Sequence, residues 1–121
     1  MTVNVAVISG NLTRDCDERL TQSGMTVVNF TVAVNERVKN SKTGEYEDCP
    51  NYIRCVFFGK YAERKAPMLK KGAKVTVKGK LKYSAWEKDG QKASKIEIVV
   101  DDIDISAKRE PAPAEQVSVT V

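Results

Sequence analysis

Histidine is absent from this chain, which removes the most frequent general base and a common metal ligand. Neither a GxxxxGK[ST] phosphate loop nor a GxSxG nucleophile elbow occurs. The cysteines, Cys16, Cys49 and Cys55, are odd in number and lack CxxC spacing, so neither a disulfide framework nor a zinc site is indicated. Cys55 sits in an alternating apolar segment and reads as a small core residue. No apolar run approaches the roughly 18 residues of a membrane span. The N-terminus lacks a signal peptide's basic-then-apolar order, so a soluble, intracellular chain with no membrane role is expected. Asp101, Asp102 and Asp104 cluster, but without visible partner ligands they read as water-facing acids at a strand end. These absences exclude the common catalytic designs, and no enzyme, metal or cofactor is expected.

What the chain does contain is unevenly placed charge. Its 121 residues fit one domain, and its net charge is +4. Between Lys60 and Lys95 there are twelve Lys/Arg and three acids, so the remainder is net acidic. Such asymmetry points to an anionic partner, and with no basic amphipathic helix nucleic acid fits better than membrane. The stretch Lys74 to Trp86 shows how the charge is presented. At strand period, Val75, Val77, Leu81 and Tyr83 form a core face, while Lys74, Lys78, Lys80 and Lys82 form a cationic face that ends in Trp86, the only tryptophan. Cations at strand spacing follow a polyanion, and an aromatic beyond them can stack a base. Alone, the pattern reads first as a solvated lysine face.

The rest of the chain reads as strands. Val3 to Gly10 forms the first, with a short continuation around Arg19 to Thr21. Val28, Phe30, Val32 and Val34 alternate with polar or small residues in the second. Arg37 to Asp48 is polar and predicts a long exposed loop, and Tyr52 to Phe58 is the third strand. Lys60 to Lys71 is the one helix candidate, short or irregular near Pro67 and stopped at Gly72. The fourth strand, a hairpin at Lys88-Asp89-Gly90 and a fifth strand from Ser94 to about Ile105 follow. Three strands, a helix and two strands predict an all-β fold, a five-stranded oligonucleotide-binding (OB) Greek-key barrel with one short helix between strands three and four. It occupies residues 1–106, with a short tail over 107–121.

Strand three repeats the two-faced pattern. Ile53, Cys55 and Phe57 share one face; Tyr52, Arg54, Val56 and Phe58 share the other, with Lys60 just beyond. If the first face fills the barrel, the second presents two aromatics and a cation, which suits bases splayed along a groove. Tyr52 and Phe58 could equally belong to the core. Two strands that each carry aromatic and basic residues on one face favour the binding reading. An RNA-binding barrel would use the same platform, and a structural or protein-interaction barrel would bury the aromatics at subunit contacts.

Several short strings, in order, resemble the bacterial single-stranded DNA-binding protein family. They are Gly10-Asn11-Leu12-Thr13-Arg14-Asp15, Asn29 to Asn35, Phe57-Phe58-Gly59-Lys60-Tyr61-Ala62-Glu63, Leu69-Lys70-Lys71-Gly72, and Gly79-Lys80-Leu81 with Trp86. The resemblance runs from about Val3 to Ser106. It implies a homotetramer built from dimers that coats single-stranded DNA with little sequence preference in replication, recombination and repair, in the cytoplasm and on the nucleoid. It places base stacking on Tyr52, Phe58 and Trp86, and phosphate contacts on Arg54, Lys60, Lys71 and Lys82, with Lys80 beside them and Arg19 as a further candidate. A fourth stacking position, in the loop after strand two, falls on Val38, which implies weaker binding per subunit.

The C-terminus departs from the family pattern. Pro111-Ala112-Pro113-Ala114 reads as an extended linker, and Val117, Val119 and Val121 alternate with Ser118 and Thr120 as a frayed tail or an added edge strand. The family's acidic tip, which recruits replication partners, has no counterpart, which suggests a phage, plasmid or accessory member.

Overall fold

The computed structural model describes residues 1–106. The tail expectations, the linker at 111–114 and the alternation at 117–121, lie outside the described residues. The elements are β1 (Ala6–Leu12), β2 (Asp17–Leu20), β3 (Thr26–Lys39), β4 (Tyr46–Phe58), α1 (Gly59–Lys65) with a 3₁₀ turn (Ala66–Met68), β5 (Lys74–Lys88) and β6 (Gln91–Ser106). They form one sheet in the order β1-β5-β6-β4-β3-β2, closed by a β1–β3 pairing at Asn11 and Leu12. Counting β1 and β2 as two halves of one bent strand gives the five-stranded barrel expected from the sequence. Among the described residues only the β4–β6 pairing is parallel, through Cys55–Ile98 and Val56–Val99.

Alternation builds the barrel interior. Val28, Phe30 and Val32 from β3 meet Cys55 and Phe57 from β4, Val75 and Val77 from β5, and Ile98, Val100 and Ile103 from β6. A bulge resets the alternation in β6: Lys78 pairs with Asp102 but Gly79 pairs with Val100, so Asp101 is the extra residue. The inward set therefore changes from Ile98 and Val100 to Ile103 and Ile105. Gly79 permits the close approach, because a Cβ there would lie 2.1 Å from the Val99 carbonyl oxygen. Ala62, Ala66 and Leu69 close one end of the barrel, with the Tyr61 ring edge-on to Phe57 at 5.0 Å. The helix candidate over Lys60–Lys71 is thus α1 plus a 3₁₀ turn, broken where Pro67 cannot donate to the helical ladder.

Three expectations are corrected. Arg37 to Asp48 is not a loop: β3 runs to Lys39 and β4 starts at Tyr46, with unbroken register across the arm. Its polar residues gave no alternation of burial to read, since the ladder is made by the backbone and both faces meet water. Leu81 and Tyr83, expected in the core, are 49% and 65% exposed. They do lie on the face of β5 that continues Val75 and Val77, but the β5–β6 hairpin runs past the end of the barrel, where no described residue covers them. Strand six starts at Gln91, closer to the turn than Ser94. That turn is Asp89-Gly90, both with positive φ (53° and 78°), the geometry of a two-residue hairpin loop. Among the described residues no helix is long and apolar enough to cross a membrane.

Candidate nucleic-acid interface

The outward residues of β4, β6 and β5 make one continuous surface. Uninterrupted pairing with β3 keeps Tyr52, Arg54, Val56 and Phe58 on the outer face of β4. Val56 pairs with Val99 of β6, and Val99 in turn with Lys80 of β5. Two residues along, Glu97 pairs with Lys82 and shares a cleft with Arg54. Further out, Lys95 faces Ser84, and Trp86 faces Ala93 near the hairpin tip. Tyr52, Phe58 and Trp86 are 64%, 43% and 45% exposed, so none of the three is a core residue. Six residues along β4, at about 3.3 Å each, separate Tyr52 from Phe58 by roughly 20 Å. That spacing is too long for one bound nucleotide and fits bases several positions apart along one strand.

The cleft, of about 520 Å³, crosses this surface and is predominantly polar, with Arg14, Arg19, Arg54 and Lys95 around it and Asn29 and Thr31 from β3. Asp15, Asp17 and Glu97 also line it. Arg19 is tied to Asp17 by a 3.0 Å ion pair in an exposed position, where such a pair stabilises little and yields readily to a competing anion. Glu97 is more enclosed, its carboxylate 3.7 Å from the Lys95 ammonium. Lys95 also lies over the Trp86 ring, 5.9 Å from its centroid, a cation–π arrangement that links the cleft to the hairpin aromatic.

Of the eight residues expected at the site, the strands bring Tyr52, Arg54, Phe58, Lys80, Lys82 and Trp86 onto one face. Lys60, in the first turn of α1, and Lys71, in the turn before β5, are exposed but lie outside the strands. The Lys71 backbone amide donates to Asp15 at 2.8 Å, which sets that turn beside one wall of the cleft. Lys74 and Lys78 continue the outer face of β5 towards its start, and the register puts Asp102 opposite Lys78. Arg14, Asn29, Thr31, Lys95 and Glu97 were not singled out as site residues. Their placement depends on the β4–β6 and β3–β4 registers, though alternation from Glu97 and Lys95 across a hairpin at Asp89-Gly90 was available as a signal. Val38 is 43% exposed and pairs with Glu47, on the opposite face of the arm from Tyr52. Among the described residues no group of three or more His, Cys, Asp or Glu is placed to hold a metal ion.

Comparison with known proteins agrees with this geometry. The profile described as single-strand binding protein family matches residues 3–106. A single-stranded DNA-binding protein of Borreliella burgdorferi is 46% identical over 103 residues, covering 84% of this chain and 68% of that protein. One from Mycobacterium tuberculosis is 40% identical over 113 residues, covering 92% and 69% respectively. Among solved structures, a deletion mutant of the single-stranded DNA binding protein from Thermus aquaticus superposes with a TM-score of 0.76 at 31% identity, covering 88% of this chain and about half, 52%, of that one. The Plasmodium falciparum SSB in complex with ssDNA shares the fold, with a TM-score of 0.75 at 23% identity over 87% of this chain and 94% of that one.

Proposed function

Because the chain belongs to the single-strand binding protein family, we propose that it binds and protects single-stranded DNA, with little sequence preference, during replication, recombination or repair. The observation that carries this is the face on which β4, β6 and β5 align Tyr52, Arg54, Phe58, Lys80, Lys82 and Trp86. Exposed rings accept any base, because every base has a π-face, at about 1–3 kcal/mol per stacked base. The cations neutralise phosphates and release counterions, which supplies affinity without reading sequence. Duplex DNA keeps its bases stacked on one another, so the rings have nothing to engage and discrimination against it follows. The setting is the cytoplasm, on the nucleoid.

Titrating oligo-dT while following Trp86 fluorescence tests the reading. Binding quenches the emission, and affinity falls with rising salt, the log–log slope scaling with about 0.7 for each phosphate neutralised on a single strand. Absence of quenching at low salt, or equal affinity for a duplex of the same length, would overturn it. Matched RNA oligonucleotides separate the DNA reading from an RNA-binding one.

Assembly into a homo-oligomer, a homotetramer built from dimers in this reading, is supported by β1. Its pairing to β3 is confined to Asn11 and Leu12, so from Ala6 to Gly10 one edge has no partner among the described residues. Val7, on its outer face, and Val5, just before it, are 61% and 60% exposed. An open apolar edge strand of this length is a template for a second chain.

A further inference from the structure

We infer that Lys95 is a resident competitor for the Trp86 ring: held by Glu97, its ammonium covers the ring and must be displaced before a base stacks there. The inference rests on the single-strand-binding reading above and concerns the control of one of its stacking positions.

Register makes the contact possible. Strands β5 and β6 pair as Trp86–Ala93, Ser84–Lys95 and Lys82–Glu97, and alternation puts all of them on one face of the hairpin. Lys95 thus has Glu97 two residues along its own strand and Trp86 diagonally across the ladder, both within reach of a long side chain. Directly opposite stands Ser84, too short to fill the space between them. The Lys95 ammonium lies 3.7 Å from Glu97 Oε1 and 5.9 Å from the Trp86 ring centroid. One cation therefore serves both a carboxylate and a π-face.

Charge explains why the cation stays. The Glu97 side chain is only 13% exposed and lines the polar cleft, so water screens its carboxylate little. Among the described residues, Lys95 is its partner within ion-pair distance. A lysine committed in this way presents a polyanion with a neutral pair, whereas Lys80, opposite the apolar Val99, presents a free charge.

Both holds are weak. At 3.7 Å the ion pair is longer than a hydrogen bond, and 5.9 Å is near the outer limit of a cation–π contact. The Trp86 ring itself is 45% exposed, so a base can reach it and compete. Displacing an exposed cation–π contact lowers affinity about two- to fivefold. Stacking at Trp86 is metered rather than blocked, which makes the hairpin the weaker end of the platform. The competing explanation is that Lys95 is one more phosphate contact.

The experiment uses the full chain and the double variant Lys95→Thr, Glu97→Gln, which removes the pair and leaves the net charge unchanged. Threonine suits a strand and is too short to reach the ring. Titration with oligo-dT over a range of salt, read by Trp86 quenching, is expected to show about two- to fivefold tighter binding than the unmodified protein, with the same log–log salt slope. Before DNA is added, acrylamide, a neutral quencher, should reach Trp86 more readily in the variant. Lys95→Arg, which keeps a cation beside the ring, should show neither change. Unchanged affinity would overturn the inference. So would weaker binding with a slope shallower by about 0.7, the mark of a lost phosphate contact, or an equal gain in Lys95→Arg. Should the double variant fail to fold, Lys95→Thr alone, at a solvent-accessible strand position, must still show the rise in acrylamide access; no rise there also overturns the inference. If oligo-dT fails to quench Trp86 in the unmodified protein, the single-strand-binding reading itself falls, while the acrylamide comparison, which needs no DNA, stands apart from that result.

Discussion

Cys55 shows how one buried side chain couples the barrel to pH. Burial pushes its thiol from an ordinary 9.0 up to about 12, and the nearby Glu97 carboxylate adds to the rise. Because the folded value lies above the unfolded one, the protonated thiol's contribution is complete below pH 9.0 and is lost progressively as pH rises towards 12. At about 1.4 kcal/mol for each pH unit between the two values, the loss is on the order of 4 kcal/mol by the upper end. The Tyr61 phenol is raised too, first by desolvation and then by its hydrogen bond to Asp102, so it acts in the same direction from near pH 10 upwards. Urea midpoints measured from pH 8 to 11 are expected to fall less in a Cys55→Val variant than in the unmodified chain. Parallel curves would show that the thiol does not titrate across this range. At this scale the sequence was informative where alternation puts residues on a common face: Cys55 reads as core, and Tyr52 and Phe58 share the opposite face, whose exposure the structure supplies. It was uninformative for Lys95 and Glu97, whose 3.7 Å pairing in the cleft requires strands far apart in the chain to meet.

Elements are held in place by a few backbone constraints. The bulge between β5 and β6 needs a residue without a Cβ at position 79, where an added methyl would lie 2.1 Å from the Val99 oxygen and 2.9 Å from the Ile98 side chain. Gly79→Ala must therefore move β6 or shift the bulge, and a loss above about 2 kcal/mol in urea unfolding is expected. A change below 0.5 kcal/mol, the range of ordinary surface substitutions, would mean that the strands yield without strain. The same bulge reverses the faces of β6 between Val100 and Ile103, and it could not be read from the sequence because Asp101-Asp102 looks like any polar strand end. The β3–β4 arm was missed for the opposite reason. Local pattern reports burial, and an arm that buries neither face leaves no periodic trace. Where burial is strong, as from Val28 to Val32, or where a turn demands unusual backbone, as at Asp89-Gly90, the reading from sequence and the structure coincide.

At the scale of the whole molecule, the open edge of β1 bears on assembly. Light scattering at micromolar concentration is expected to give a multiple of the 13.4 kDa chain mass, and a Val5→Lys, Val7→Lys double variant a smaller species that keeps its fold. A monomeric unmodified protein would remove the assembly reading while leaving the platform of each barrel intact. The sequence by itself determined the succession of strands along the chain, most of the hydrophobic interior and the concentration of cations between Lys60 and Lys95. Those properties are written in residue type and in periods of two, which act locally along the chain. Only the tertiary structure decided which outward residues become neighbours. The parallel meeting of β4 with β6, the hairpin that overruns the barrel and the unbroken register out to Tyr46 are long-range pairings. They arise from closing a sheet on itself, where each strand's partner is set by the fit of the common core.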